Sequence, residues 1–217
     1  MKRMVTQLAM VCLIVLAFAG PAMAGETGSV IRFGPQYVSP TGTYEEIDTD
    51  IDAKLEIEAD TATGFFFAYE YQFTDRIGIE PSLSFQSHDV NAKLTDLTSG
   101  ATTPKVKIAD VDVMPLLVAL NFHVLDPESM VDLYVAPIIG YVRFSDLNLI
   151  DEASESIDPA FAWGADVGVD VRFGQSKWYF TGALQYLKFA AEGGDDGETA
   201  SVDIDPFVAR VGVAIKF

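Results

Sequence analysis

Phe207-Val-Ala-Arg-Val-Gly-Val-Ala-Ile-Lys-Phe217 decides the fold. Phe207, Ala209, Val211, Val213, Ile215 and Phe217 fall on one face of an extended chain. Val208, Arg210, Gly212, Ala214 and Lys216 fall on the other, because a strand sends successive side chains to opposite faces. The first face is wholly apolar; the second carries two cations among small residues. Such a strand suits a wall between lipid and a polar interior. In a water-soluble sheet the apolar face would need a covering layer.

Seven further segments alternate in the same way. Ile31, Phe33, Pro35 and Tyr37 oppose Arg32, Gly34 and Gln36. Phe65, Phe67, Tyr69, Tyr71 and Phe73 oppose Ala68, Glu70 and Gln72. Ile77, Ile79, Leu83 and Phe85 oppose Gly78, Glu80, Ser82, Ser84 and Gln86. Leu116, Val118, Leu120 and Phe122 oppose Ala119, Asn121 and His123. Leu133, Val135, Ile139 and Tyr141 oppose Tyr134, Ala136, Ile138 and Gly140. Trp163, Ala165, Val167, Val169, Val171 and Phe173 oppose Gly164, Asp166, Gly168, Asp170 and Arg172. Trp178, Phe180, Leu184 and Tyr186 oppose Tyr179, Thr181, Ala183 and Gln185. Helical spacing would mix these faces. Each segment has about the ~9–11 residues of a tilted membrane strand, and an even strand number suits an outer-membrane barrel. The sequence therefore predicts an all-β, eight-stranded, antiparallel up-and-down transmembrane barrel.

The connections alternate in length. Thr74–Arg76, Asp126–Ser129 and Gly174–Lys177 are short; Ser39–Thr63, Asn91–Lys105, Asp146–Asp158 and Glu192–Ser201 are long and polar. Short turns belong inside and long loops outside. Ile51–Ala59 keeps alternating inside the first long connection, so the second strand is expected to run on beyond the bilayer.

The start of the chain reads as an export leader. Lys2 and Arg3 precede the apolar Met10–Phe18, and Ala22-Met-Ala24 fits a cleavage site. The apolar run is shorter than the ~20 residues a spanning helix needs. The domains expected are a signal peptide over 1–24 and a barrel over 25–217. Cleavage removes Cys12, the only cysteine, so the mature chain has neither disulfides nor thiolate ligands. The chain carries 32 acidic residues against 14 lysines and arginines, for a net charge of −18. That excludes an electrostatic nucleic-acid binder.

The inward parity collects Arg32, Glu70, Glu80, Asp166, Asp170, Arg172 and Arg210. An eight-stranded interior is nearly filled by side chains, and buried charges must pair. These residues are expected to form an ion-pair network plugging the lower interior, or a constriction that sets what passes. Both readings hold if a plug lies beneath an apolar pocket and diverts an amphiphile sideways into the bilayer.

Pro115 breaks the pattern, because Val111 and Val113 share its parity and not that of Leu116. Proline donates nothing to a ladder. A bulge or a lateral opening is expected at Met114 and Pro115. His88 and His123 lie near opposite ends of their strands, so they do not share a metal or catalytic site. Ser82, Ser84 and Ser87 lie near His88, but its neighbour Asp89 points to the other face, so no hydrolase triad forms. No enzyme, metal or cofactor is expected. The acidic stretches Glu45-Glu46-Ile-Asp48 with Asp50 and Asp52, and Glu192–Glu198, have no EF-hand spacing and read as solvated loops. Trp163, Trp178, Tyr186, Tyr141 and Phe217 lie near strand ends and fit interface girdles; Phe217 also fits a terminal assembly signal.

Arg32–Pro40, Phe67–Asp75 with Ile77–Ile79, Leu120–Val124, Trp163–Asp170, Lys177-Trp178 and Ile204–Phe217 together resemble the OmpW family of small outer-membrane barrels. The resemblance spans nearly the whole mature chain and implies a narrow, partly hydrophobic interior. It also implies passage of small hydrophobic molecules across the outer membrane of a Gram-negative-type bacterium. The partners implied are outer-membrane lipid and lipopolysaccharide, periplasmic chaperones, the barrel-assembly machinery and a hydrophobic solute. The other reading is a non-transporting barrel that displays acidic loops for adhesion, ion binding or protection.

Overall fold

The computed structural model describes residues 28–48, 52–125, 129–145, 148–149, 157–193 and 200–217. The expected leader, the Asp126 turn and much of the acidic loops lie outside the described residues. Twelve strands follow one another: β1 (Ser29–Ser39), β2 (Thr43–Asp48), β3 (Ala53–Ala59), β4 (Ala62–Thr74), β5 (Ile77–Asp96), β6 (Val106–His123), β7 (Val131–Phe144), β8 (Asn148–Leu149), β9 (Ala160–Arg172), β10 (Trp178–Gly193), β11 (Ala200–Ile204) and β12 (Phe207–Lys216).

This corrects the expectation of a regular eight-stranded up-and-down barrel. Among the described residues the sheet has twelve strands, and its ladder branches. β3 pairs with β5 and carries β2 on its far side. β8 pairs with β6, and β11 pairs with β10. The remaining pairings run β1–β4–β5–β6–β7–β9–β10–β12 and return to β1. β2, β3 and β8 lie within the stretches expected to be long loops, and β11 begins in one and runs on to Ile204. β5 and β10, of 20 and 16 residues, outrun their neighbours there. Their unpaired backbone groups need partners, and β3 and β11 supply them. The run Ile51–Ala59 does alternate, but β3 is separated from β4 at Asp60 and Thr61. The Asp60 N–H still bonds the Asp89 carbonyl at 2.8 Å.

One face of every strand in the closed series exposes large apolar side chains. They include Tyr37 on β1, Phe65 on β4, Phe85 on β5, Leu120 on β6, Ile139 on β7, Trp163 on β9, Leu184 on β10 and Phe207 on β12. Phe65 is 71 % exposed and Leu184 is 64 % exposed. A water-soluble protein rarely bares contiguous apolar surface on this scale, whereas a bilayer covers it. The apolar band ends on β5 at Phe85, beyond which the outward residues are Ser87 and Asp89, both exposed.

The inward face changes character along its length. Near the short turns it is polar. Near the long connections it is apolar, with Val111, Val113, Leu117, Val142, Leu187 and Phe189 packed together on β6, β7 and β10. The parity change in β6 follows from this gradient. Val111, Val113, Pro115, Leu117 and Ala119 all face inward, while Asp112, further out, is exposed. Above Pro115 the apolar residues of β6 lie on the inner face and a polar one, Asp112, on the outer.

Candidate functional site

The register of β1 against β4 and β12 aims Arg32 into the interior. It is 2 % exposed and reaches carboxylates on three strands. Its guanidinium lies 2.7 Å from Glu70 on β4 and 2.5 Å from Glu80 on β5. It contacts Asp170 on β9 through Nε at 3.0 Å and Nη2 at 2.7 Å. β9 is three pairings away from β1, so this side chain crosses the interior. Tyr134 lies under the guanidinium, 4.7 Å from its ring centre. Opposite Tyr134 on β9 stands Gly168, where a Cβ would come within 2.2 Å of the ring. The glycine makes room for the aromatic shelf.

Two further groups complete this layer. Asn121 Nδ2 donates to Glu80 at 3.2 Å. His123 places Nε2 2.6 Å from Glu70 and Nδ1 2.8 Å from Asp132. Carboxylates accept, so both ring nitrogens carry hydrogen and the ring is an imidazolium. Above, Arg210 on β12 binds Asp166 on β9 and lies 5.2 Å from the Phe66 ring centre. Arg172 is separate; it is half-buried and donates to the Tyr179 hydroxyl at 2.8 Å. The inward charged set is thus brought together except for Arg172. At this level the interior is filled by side chains that cross it.

Sequence reasoning missed His123, Asn121, Asp132 and Tyr134 as members. Parity already pointed His123 and Asn121 inward; their partners, 53 and 41 residues earlier, were not legible.

Above the plug lies a cavity of about 200 Å³. Val38, Val111, Val113, Leu187, Phe189 and Val208 are among the residues of its apolar wall, and Pro115 reaches it. Its floor is polar on one side. Gln36 Nε2 donates to Gln86 Oε1 at 2.7 Å, and Gln185 and His88 stand nearby. Ser84 also lines the cavity; its neighbour Ser87 is exposed on the outer face.

At Pro115 the β5–β6 register runs without a shift from Leu83↔Leu116 to Gln86↔Val113, so the expected bulge is not there. A register shift occurs higher, between Val90 and Asn91. The partners nonetheless skip Ser84 and Phe85 against Pro115 and Met114, while β7 pairs with both Met114 and Pro115. A prolyl nitrogen has no hydrogen to give β5. Of the aromatics at strand ends, Trp178 and Phe217 lie toward the short turns, with Phe217 paired to Ser29 through both backbone groups. Trp163 and Tyr141 lie toward the other end and are exposed. Tyr186 there is half-buried and donates to Asp205 at 3.0 Å.

The OmpW family profile matches residues 26–217. The chain belongs to the OmpW family. The family is one of non-catalytic outer-membrane proteins of Gram-negative bacteria. Among the described residues no group of three or more histidine, cysteine, aspartate or glutamate side chains is placed to hold a metal. The crystal structure of the outer membrane protein OprG from Pseudomonas aeruginosa is similar, with a TM-score of 0.69 at 20% identity. The match covers 88% of this chain and 96% of that one. The solid-state NMR structure of the outer membrane protein AlkL in DMPC bilayers gives 0.57 at 20% identity, covering 89% and 91%. The NMR structure of E. coli outer membrane protein W gives 0.51 at 20% identity, covering 89% and 100%. No curated protein sequence matches significantly. At these identities the likeness shows the fold.

Proposed function

We propose that this protein is a passive conduit for small hydrophobic or amphipathic molecules, with a route that bends sideways. The observation that carries the reading is the stacking of an apolar cavity on a charged plug. The plug, from Arg32 with Glu70, Glu80 and Asp170 up to Arg210 with Asp166, leaves no straight passage for an apolar molecule. The cup above it offers an apolar wall on β6, β7 and β10. A molecule held there meets a weak place in the wall at the Met114–Pro115 edge facing Ser84 and Phe85, where the ladder lacks partners. Leaving between β5 and β6 delivers it to the bilayer without crossing the charged layer.

The orientation follows from the short turns, which we place in the periplasm with both termini; residues 1–24 are removed as a signal peptide. Lipopolysaccharide and lipid cover the outward aromatic and aliphatic band. Phe217 and the final strand present the assembly signal to the insertion machinery. The test is uptake of a fluorescent hydrophobe by proteoliposomes. Pro115→Val restores an N–H donor to the ladder and should slow uptake severalfold while the protein stays folded. Unchanged uptake would sink the lateral route.

A further inference from the structure

Gln185 on β10 is 6 % exposed and lines the cup, yet among the described residues its side chain makes no hydrogen bond. Its amide faces the cavity and has no protein partner among these residues, so a guest there meets an amide free to give and to take a hydrogen bond. Its neighbours have spare capacity as well. Gln36 gives one hydrogen to Gln86, which leaves the Gln36 oxygen and the Gln86 amino group free to face a guest. His88 Nδ1 lies 2.8 Å from the Asp60 carbonyl. A carbonyl only accepts, so Nδ1 carries the hydrogen and Nε2 of the neutral ring is an acceptor. Burial pushes the His88 pKa down and favours that neutral ring.

The floor is thus rich in donors and acceptors and holds no free charge. Arg210 is bound to Asp166 beneath it, and although its Nε has no partner it does not line the cavity. Glu58, at the rim, is paired with Lys105. The floor is also two-sided. Gln36, Gly64 and Gln86 form one rung across β1, β4 and β5, and the same rung continues into Val113 and Phe144. A Cβ at position 64 would stand 2.9 Å from that of Gln86, so the glycine lets the two amides meet across β4.

We propose that the cup is a site for amphiphiles whose head is uncharged and both donates and accepts hydrogen bonds, as a primary amide or an alcohol does. The head sits on Gln86 and Gln185, and the chain lies against Val111, Val113 and Phe189. A carboxylate would meet no cation there, and an ammonium no free anion. This assignment rests on the conduit reading for the site and adds the class of head.

The test is displacement of a fluorescent naphthylamine from the refolded protein in lipid nanodiscs at pH 8, against protein-free nanodiscs. Decanamide, decanol, decanoate and decyltrimethylammonium are the competitors. Decanamide should act at roughly a tenfold lower concentration than either charged probe, as one or two hydrogen bonds imply. Gln185→Leu should bring that ratio to within about twofold, and because it is a ratio of competitors on one variant, a change in dye affinity cancels. Retained heat-shifted gel mobility confirms folding. If the leucine variant does not fold, Gln185→Asn, which keeps the amide on a shorter arm, should give an intermediate ratio. Equal or better binding of decanoate overturns the assignment, as does a ratio unmoved by the substitution at Gln185. Dye that binds without any discrimination among heads removes this assignment alone. No dye binding at all removes the conduit reading with it.

Discussion

Arg32→Met should be among the most damaging single substitutions in this chain. The methionine keeps the approximate length of the side chain but removes its charge and hydrogen-bond donors. Glu70, Glu80 and Asp170 then face one another across a filled interior, with Asn121 still near Glu80 and with His123 and Gln72 still near Glu70. Arg32 is 2 % exposed, and Glu70, Glu80 and Asp170 are 0 %, 1 % and 3 % exposed, so water does not take over its role. Removing one partner of a buried ion pair typically costs about 3–5 kcal/mol, because a charge is left uncompensated. Three carboxylates share this cation, which argues for the upper end of that range. The assay is urea unfolding of the refolded protein in lipid vesicles, followed by tryptophan emission. Adding Asp170→Asn should recover part of the loss, with a coupling of roughly 0.5–3 kcal/mol. A loss under about 1 kcal/mol, the scale of an exposed pair, would refute the claim that the plug is a buried, interlocked network.

Other outcomes follow from the same geometry. Gly168→Ala should destabilise by about 1–3 kcal/mol, the usual cost of overpacking, because its methyl would meet the Tyr134 ring. Gly182→Ala, whose nearest atom would be the Arg210 carbonyl oxygen at 3.9 Å, should be nearly neutral in the same unfolding assay. Val167→Arg, in the middle of the outward face of β9, should cost about 2–4 kcal/mol if that face meets lipid; no cost would contradict the membrane reading. Glu56 on β3 is held down to a pKa of about 2, from an ordinary 4.5, by hydrogen bonds from Lys93 and then Lys54. Its depressed pKa means its contribution is present above pH 4.5 and fades as the pH falls toward 2. Proteolysis of the β2–β3 hairpin should therefore quicken across that window, and Glu56→Gln should flatten the change.

The alternation along each strand was legible in the sequence, because an inward or outward choice is written residue by residue. Arg32, Glu70, Glu80, Asp166, Asp170 and Arg210 could be assigned to the interior on that basis alone. Which of them meet was not legible. Arg32 and Asp170 are 138 residues apart and lie across the interior on strands that do not pair. The strand number was misjudged because β3 and β11 add to the extensions of β5 and β10, and such additions depend on which backbone groups the neighbours leave open. Pro115 was read from a parity change as a bulge or a lateral opening, and the register shows no bulge there. The parity change follows the inward face, which turns apolar above Pro115 while Asp112 on the outer face is exposed. Parity placed Gln185 on the inward face, but nothing in the sequence set it apart from the other inward residues; its meaning comes from the empty space beside it and from the missing partner.

The most direct test of the account is a crystal structure of the protein soaked with a decyl amphiphile brominated at its tail, read by bromine anomalous scattering. The account predicts a peak inside the cavity, against Val113, Leu187 and Phe189. Peaks found only on the outward face, among Phe65, Leu184 and Trp163, would contradict it.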